Sequence, residues 1–300
     1  MTPTITLERE SANLRAVLSE TSEAFPDGAL EKARCPVCPH HCALSKGGVG
    51  FCRARGGEGG KDCLNYGEIS SLSLDPIEKK PLKRFMPGSM VLSVGSFGCN
   101  LRCPFCQNCE ISMKGPGGGQ KATPKELANL AQSLKPKGNI GLAYTYNEPL
   151  VGYEFVRDCA KEIRSIGMKN VLVTNGCFCL EPLEELIPLI DASNVDLKGF
   201  TQDFYDWVKG DLETVKKFIA RLSETCHVEV TTLIVPGKND SVEEIDRLSA
   251  WLSTLGDIPL HLSRCFPRYR FDAAPTPADT LRGLANVART HLTHVYLGNL

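Results

Sequence analysis

Charge of one sign is missing from this sequence. Its 34 Lys and Arg balance 35 Asp and Glu, a formal net charge of −1, so it has no global basic field with which to gather nucleic acid or an anionic membrane. Long apolar runs are missing too: none approaches the ~18 residues that cross a bilayer, and no membrane partner is expected. The opening stretch, MTPTITLERESANLRAVL, lacks the basic-then-apolar order of a secretory leader, so the cytoplasm is the expected compartment. Glycine (27) and proline (19) are too few for a collagen-like or low-complexity chain, and 42% hydrophobic with 23% charged residues is a globular composition.

Cysteine is what the sequence has in excess. Fourteen cysteines in a chain expected in the reducing cytosol do not read as disulfides, and 300 residues bury a core large enough to need no staples. Metal or redox chemistry is the remaining use. Nine of the fourteen fall within the first 109 residues, which places that chemistry toward the N-terminus.

The pattern divides the chain near Pro87-Gly88. Residues 1–88 read as a short amphipathic helix over residues 7 to 20 followed by a Cys- and Gly-rich lobe, a segment ordered by metal more than by an apolar core. Residues 89–300 alternate short β-rich runs with helical stretches, the signature of βα units and a parallel sheet. Strands are expected at Met90 to Ser96, Ile140 to Tyr144, Asn170 to Thr174, Asn194 to Leu197, His227 to Ile234, Pro259 to Ser263 and His294 to Leu297, the last closing an edge. Thr123-Pro-Lys-Glu126 and Ser241-Val-Glu-Glu244 are capping boxes, and further helices are expected over Val151 to Ile166, Glu181 to Ile190 and Asp211 to Ser223. The expected fold class is α/β: a partial (β/α)6 barrel of the TIM type with a Cys-rich N-terminal lobe. The basic run Lys79-Lys-Pro-Leu-Lys-Arg84 reads as a solvated lead into the first barrel strand.

Directly after that strand comes Ser96-Phe-Gly-Cys99-Asn-Leu-Arg-Cys103-Pro-Phe-Cys106, a C-x3-C-x2-C loop. Three thiolates can ligate three irons of a 4Fe–4S cluster and leave the fourth iron open, whereas a cluster that only carries electrons normally takes four cysteines. The spacing equally permits a zinc site completed by Cys109 or a histidine. With Phe105 before its third cysteine, the loop resembles the CxxxCxxC motif of the radical S-adenosylmethionine (SAM) superfamily. That resemblance implies a cluster on Cys99, Cys103 and Cys106 whose open iron chelates SAM. An electron then cleaves the sulfonium to methionine and a 5′-deoxyadenosyl radical, which removes hydrogen from a substrate.

Loops at the carboxyl ends of barrel strands build active sites, and here they carry Tyr144-Thr-Tyr-Asn-Glu148-Pro149, Thr174-Asn175-Gly176, Asp196-Leu-Lys198, His261 and Arg264. Glu148 can accept from the methionine ammonium, Lys198 can pair the carboxylate, and Asn175 or His261 can reach ribose or carboxylate oxygens. In the resemblance, Asn147-Glu148-Pro149 stands where relatives carry Gly-Gly-Glu-Pro, with Tyr146-Asn147 replacing the two glycines, and Phe105 accompanies the cofactor. Thr-Asn-Gly, Asp-Leu-Lys and the late His are similar to glycyl-radical activating enzymes, and Asp75-Pro-Ile-Glu-Lys-Lys-Pro81 with Cys106-Gln-Asn108 resembles the AmmeMemoRadiSam branch, whose members are often called homologues of pyruvate formate-lyase activating enzyme, a label that rests on likeness and does not fix the substrate. The resemblance implies an oxidoreductase reduced by flavodoxin or ferredoxin, with a glycine of a partner protein among its candidate substrates.

Cys35, Cys38, Cys42 and Cys52, with His40 and His41 among them, suit zinc or a second iron–sulfur cluster, and buried reduced thiols are the plain alternative. Lying across the expected boundary, the two cysteine groups should be independent. Cys177 and Cys179 read as small buried thiols. An iron–sulfur electron carrier and a zinc-stabilised interaction protein are the competing functions; the first calls for a fourth ligand to the main cluster and gives no reason for Glu148, Lys198 and His261.

Overall fold

From Ser71 onward the β-branched and apolar runs become eight strands of one sheet: β1 (Ser71–Pro76), β2 (Met90–Gly95), β3 (Asn139–Tyr144), β4 (Lys169–Thr174), β5 (Ala192–Asp196), β6 (His227–Ile234), β7 (Leu260–Arg264) and β8 (Val295–Gly298). They lie in sequence order, β1 antiparallel to β2 and every other pair parallel. Between them run α1 (Pro124–Ser133), α2 (Tyr153–Ser165), α3 (Gln202–Val208), α4 (Leu212–Ser223), α5 (Val242–Ser253) and α6 (Ala278–Ala288). The result is the expected α/β fold, a partial (β/α)6 barrel with β1 and β8 on its two edges. This computed structural model describes residues 33–300, so the helix expected over residues 7 to 20 lies outside the described residues.

The start signals act as their chemistry dictates. Thr123 and Glu126 form a full capping box: Thr123 Oγ1 accepts from Glu126 N at 3.2 Å and Glu126 returns to Thr123 N at 2.7 Å. Ser241 caps α5 alone, because the Glu244 carboxylate accepts from Phe200 N instead. The helix expected over Glu181 to Ile190 is broken into one turn at Leu180–Leu183 and a 3-10 turn at Ile187–Leu189. Pro182 and Pro188 each remove a donor that a continuous helix would need.

Alternation divides the sheet into two faces. Leu92, Val94, Leu142 and Leu172 pack with α1 and α2 in the main core, whereas Val91, Ala143, Val171 and Ala192 pack against Ile77 and Leu82. The segment expected as a solvated lead therefore fills the barrel's inner face. Leu82 is fully buried, the buried Lys80 pairs with Asp75 at 2.9 Å, and the Lys83 and Arg84 amides donate to Glu229 at 3.0 and 2.8 Å. Lys79 alone of this lysine pair stays in solvent.

The boundary expected near Pro87-Gly88 does not divide the structure, since residues 33–300 form one compact unit. β1 lies N-terminal to that turn and supplies a full edge strand to the sheet. The Cys-rich lobe has only two-residue strand pairs of its own, Arg55–Gly56 with Asp62–Cys63, and leans on the barrel. Cys52 and Ala54 pack with Phe97 and Val151, and buried Arg55 grips Glu154 of α2 through Nη1 at 2.7 and 2.6 Å. Residues 33–69 cannot fill a core by themselves, so they borrow the barrel's.

Candidate active site

The loop leaving β2 carries Cys99, Cys103 and Cys106 to one wall of a cavity of about 700 Å³. The β3 end brings Thr145 to Glu148, β4 brings Thr174 and Asn175, β5 brings Asp196 and Lys198, and β6 and β7 bring Thr231 and His261. All the residues expected at the strand ends for cofactor contact, with Phe105, line this one space. Only these three cysteines face it. Burial pushes all three thiols up, Cys103 to about 12, while the Lys198 ammonium pulls Cys103 and Cys106 the other way. Thiolates here therefore need cationic partners in the cavity.

Glu148 is buried and its carboxylate accepts from Thr174 Oγ1 at 2.7 Å, Asn175 N at 2.8 Å and Leu150 N at 3.0 Å. Burial nevertheless dominates those three bonds and raises its pKa to about 7. A buried carboxylate so poised is suited to an incoming cation. Lys198 reaches Asp196 at 2.8 Å, and although burial works to discharge it, Asp196 and Cys103 hold its pKa above the usual range. The cavity thus holds a carboxylate ready for a cation in the loop after β3 and an ammonium–carboxylate pair at the end of β5.

Other expected residues take different partners. The Asn175 side chain is engaged with Asn100, donating to its Oδ1 at 2.9 Å, while Asn100 donates to the Cys177 carbonyl at 2.6 Å. Asn175 thus ties β4 to the cysteine loop, and its backbone N–H orients Glu148. His261 Nε2 donates to Glu229 Oε2 at 2.6 Å, which leaves Nδ1 as the nitrogen able to meet a ligand. Phe105 packs its ring among Phe204, Trp207 and Phe271 at 5.6 to 6.5 Å between centroids. Cys177 is fully buried, as expected of a small apolar thiol.

Tyr146 replaces a glycine of the family pattern, and its backbone shows why glycine suits the position. Its φ is +74°, in the left-handed region. Three contacts hold it there: its hydroxyl donates to Asp75 Oδ2 at 2.8 Å, its carbonyl accepts from Asn108 Nδ2 at 2.6 Å, and Lys80 Nζ stands 4.7 Å over its ring. A Cβ on Gly95 would come within 2.8 Å of that ring, so the neighbouring strand must end in glycine. Asp75, Lys80 and Asn108 belong to the stretches that carry the resemblance to the AmmeMemoRadiSam branch, and Lys80 also to the run expected in solvent. Sequence reading missed Glu229 and Thr231; the signal was a carboxylate inside the apolar strand His227–Ile234.

Residues 93–252 match the model of the Radical SAM superfamily. The chain belongs to that superfamily. An uncharacterized protein of Methanocaldococcus jannaschii, MJ0808, is 41% identical over 285 residues, covering 90% of this chain and 82% of that one. The pyruvate formate-lyase-activating enzyme of Clostridium pasteurianum is 26% identical over 166 residues, 54% of this chain and 68% of it. In fold, this radical SAM chain is similar to Streptococcus suis SuiB bound to S-adenosylmethionine, with a TM-score of 0.54 at 13% identity over 67% of this chain and 48% of that one.

Membership implies a 4Fe–4S cluster and SAM. The donor set fits them: three thiols open on a space large enough for a cofactor, with no fourth cysteine lining it to close the last iron. Among the described residues, no three His, Cys, Asp or Glu side chains converge on a single-ion position, whereas the cysteine loop is spread about the cavity wall. No helix among the described residues is long and apolar enough to cross a membrane.

Proposed function

We propose that the protein is a radical SAM oxidoreductase of the activating-enzyme kind, with Cys99, Cys103 and Cys106 as cluster ligands. When bound, the cluster and SAM supply reductive sulfonium cleavage and hydrogen-atom abstraction. The observation that carries this reading is the convergence of three thiols, Glu148 and Lys198 on one cavity, since an electron carrier or a zinc scaffold has no use for the last two. Glu148 accepts from the methionine ammonium, oriented by Thr174 Oγ1 and Asn175 N. Lys198 meets the methionine carboxylate from its place beside Asp196. Phe105 holds the loop's shape from the aromatic cluster, and His261, steadied by Glu229, offers Nδ1 to ribose or substrate.

The likeness to pyruvate formate-lyase-activating enzyme supports a glycine of a partner protein as substrate and reduced flavodoxin or ferredoxin as electron source. The test is anaerobic reconstitution with iron and sulfide, reduction in the presence of SAM, and assay for 5′-deoxyadenosine. Wild type should form it, and Cys99→Ala, Cys103→Ala and Cys106→Ala should each lose both it and the catalytic cluster's iron. Formation of 5′-deoxyadenosine by any of the three variants overturns the ligand assignment. Deuterium transfer from a labelled glycine in a candidate partner identifies the substrate, and its absence with active enzyme rejects that partner.

A further inference from the structure

Cys35, Cys38, Cys42 and Cys52 line a pocket of about 10 Å³ in the lobe, room for about one water, and no three of them are placed to hold an ion. The lobe's outer surface carries more. Three segments meet around the cysteine loop: residues 50–55 of the lobe, 99–106 of the loop itself and 264–271 at the end of β7. Cys99 N donates to the Cys52 carbonyl at 3.2 Å and Arg270 N to the Pro104 carbonyl at 2.9 Å. The Arg102 guanidinium donates to the Cys99 and Leu101 carbonyls at 2.8 and 2.7 Å and lies 3.8 Å over the Phe51 ring. Arg53, Arg102, Pro104, Arg268 and Arg270 all lie outside the cavity lining, so they form the back of the loop.

The charge of this face is of one sign. Its three segments contain Arg53, Arg55, Arg102, Arg264, Arg268 and Arg270 and no Asp or Glu. Among the described residues, the arginines paired with a carboxylate are Arg55, Arg157, Arg221 and Arg282. The other five of the face therefore keep an unneutralised charge, in a chain whose formal net charge is −1. Glu58 and Asp272 flank the segments and pair with none of them.

The face also holds aromatic rings in water. Phe51, Phe266 and Tyr269 are 36%, 45% and 44% exposed. Arg268 N and Phe271 N each donate to the other's carbonyl at 3.0 Å, which closes a tight turn with Tyr269 and Arg270 at its tip. Tyr269 has φ +59°, the left-handed region that a tyrosine seldom adopts. Arginine and aromatic rings are the residues that protein interfaces favour, and a closed turn has little freedom left to lose on binding.

Charge and place identify the partner. Unpaired arginines select an acidic surface and speed its approach. The loop they cover is, in the function proposed above, the one that must receive an electron from outside, and SAM takes its cavity side. We propose that this face docks an acidic one-electron protein carrier, which delivers its electron through the back of the cysteine loop. The carrier is oxidised by one electron, and the centre on Cys99, Cys103 and Cys106 is reduced by it. No proton moves and no covalent bond changes. The proposal rests on that function, which supplies the acceptor.

The test compares the reconstituted full chain with Arg53→Glu, with the double variant Arg268→Glu/Arg270→Glu, and with a control at exposed Lys161 of α2, Lys161→Glu. Binding of oxidised flavodoxin and of ferredoxin, followed by calorimetry, needs no turnover. Wild-type affinity should fall as salt rises from about 50 to about 300 mM. At low salt each face variant should bind roughly 10-fold more weakly, with a flatter salt dependence, and Lys161→Glu should match wild type. SAM cleavage driven by the reduced carrier, kept below saturation, should fall in step. Cleavage driven by dithionite, which needs no docking face, should stay at the wild-type level in every variant. Carrier binding unchanged in the face variants, or weakened as much by Lys161→Glu, overturns the proposal. Equal loss with dithionite overturns it too, as does a face that binds RNA and neither carrier. A wild type that binds the carrier through this face but cleaves no SAM with either reductant would instead reject the catalytic reading.

Discussion

In the proposed function Glu148 is the residue on which cofactor binding turns, because its three protein donors are all neutral and its pKa stands at about 7 against a usual 4.5. A charge-assisted bond to the methionine ammonium contributes about 1.5 to 3 kcal/mol, so Glu148→Gln should weaken SAM binding roughly 10- to 150-fold with the cluster intact. The carboxylate must be ionised to accept from the ammonium. Wild-type affinity, measured by equilibrium dialysis across pH 5.5 to 8.5, should therefore fall as pH drops through about 7. The glutamine variant should show no such slope, and a slope retained in it would place the ammonium contact elsewhere.

At the scale of elements, the segment between β1 and β2 fills the barrel's inner face. Leu82, fully buried against Val91, Ala143, Val171 and Ala192, should cost about 2–5 kcal/mol when cut to alanine. The check is the denaturant midpoint. A change no larger than that of an exposed leucine would mean the floor is not packed as described.

The same segment is pinned by Glu229, which is fully buried and accepts from Lys83 N, Arg84 N, His227 and His261. Burial opposes its charge, but those four bonds prevail and hold its pKa down to about 2 from a usual 4.5. A depressed carboxylate stabilises the fold above its unfolded pKa and loses that contribution as pH falls through its folded one. Glu229→Gln should be less stable than wild type at neutral pH, with the difference shrinking between pH about 4.5 and 2. Unfolding curves that run parallel over that range would contradict the assignment.

For the whole molecule, the lobe and barrel stand or fall together. A fragment of residues 89–300 would expose the edge of β2, uncover the inner face and leave Glu229 without two of its donors. It should be recovered aggregated, with no cooperative thermal transition. A soluble, cooperatively folding fragment would restore the boundary at Pro87-Gly88.

The sequence by itself determined what depends on short spacing. C-x3-C-x2-C, the βα alternation and the polar strand ends are local patterns whose chemistry is fixed by neighbours a few residues apart, and the alternation alone implied the class of fold and the mouth at which Glu148, Lys198 and His261 meet. Tertiary structure decided what depends on burial and long-range pairing. A lysine-rich run reads as solvent-facing until Asp75, Tyr146 and Glu229, far apart in the chain, are seen to neutralise and bind it. Tyr146 in a glycine's conformation is tolerable only because Asp75 and Asn108 anchor it. The two cysteine groups looked separate because Cys52 and Cys99 are 47 positions apart, yet one backbone hydrogen bond joins them, since a lobe too small to bury its own core must rest on the loop that the barrel presents.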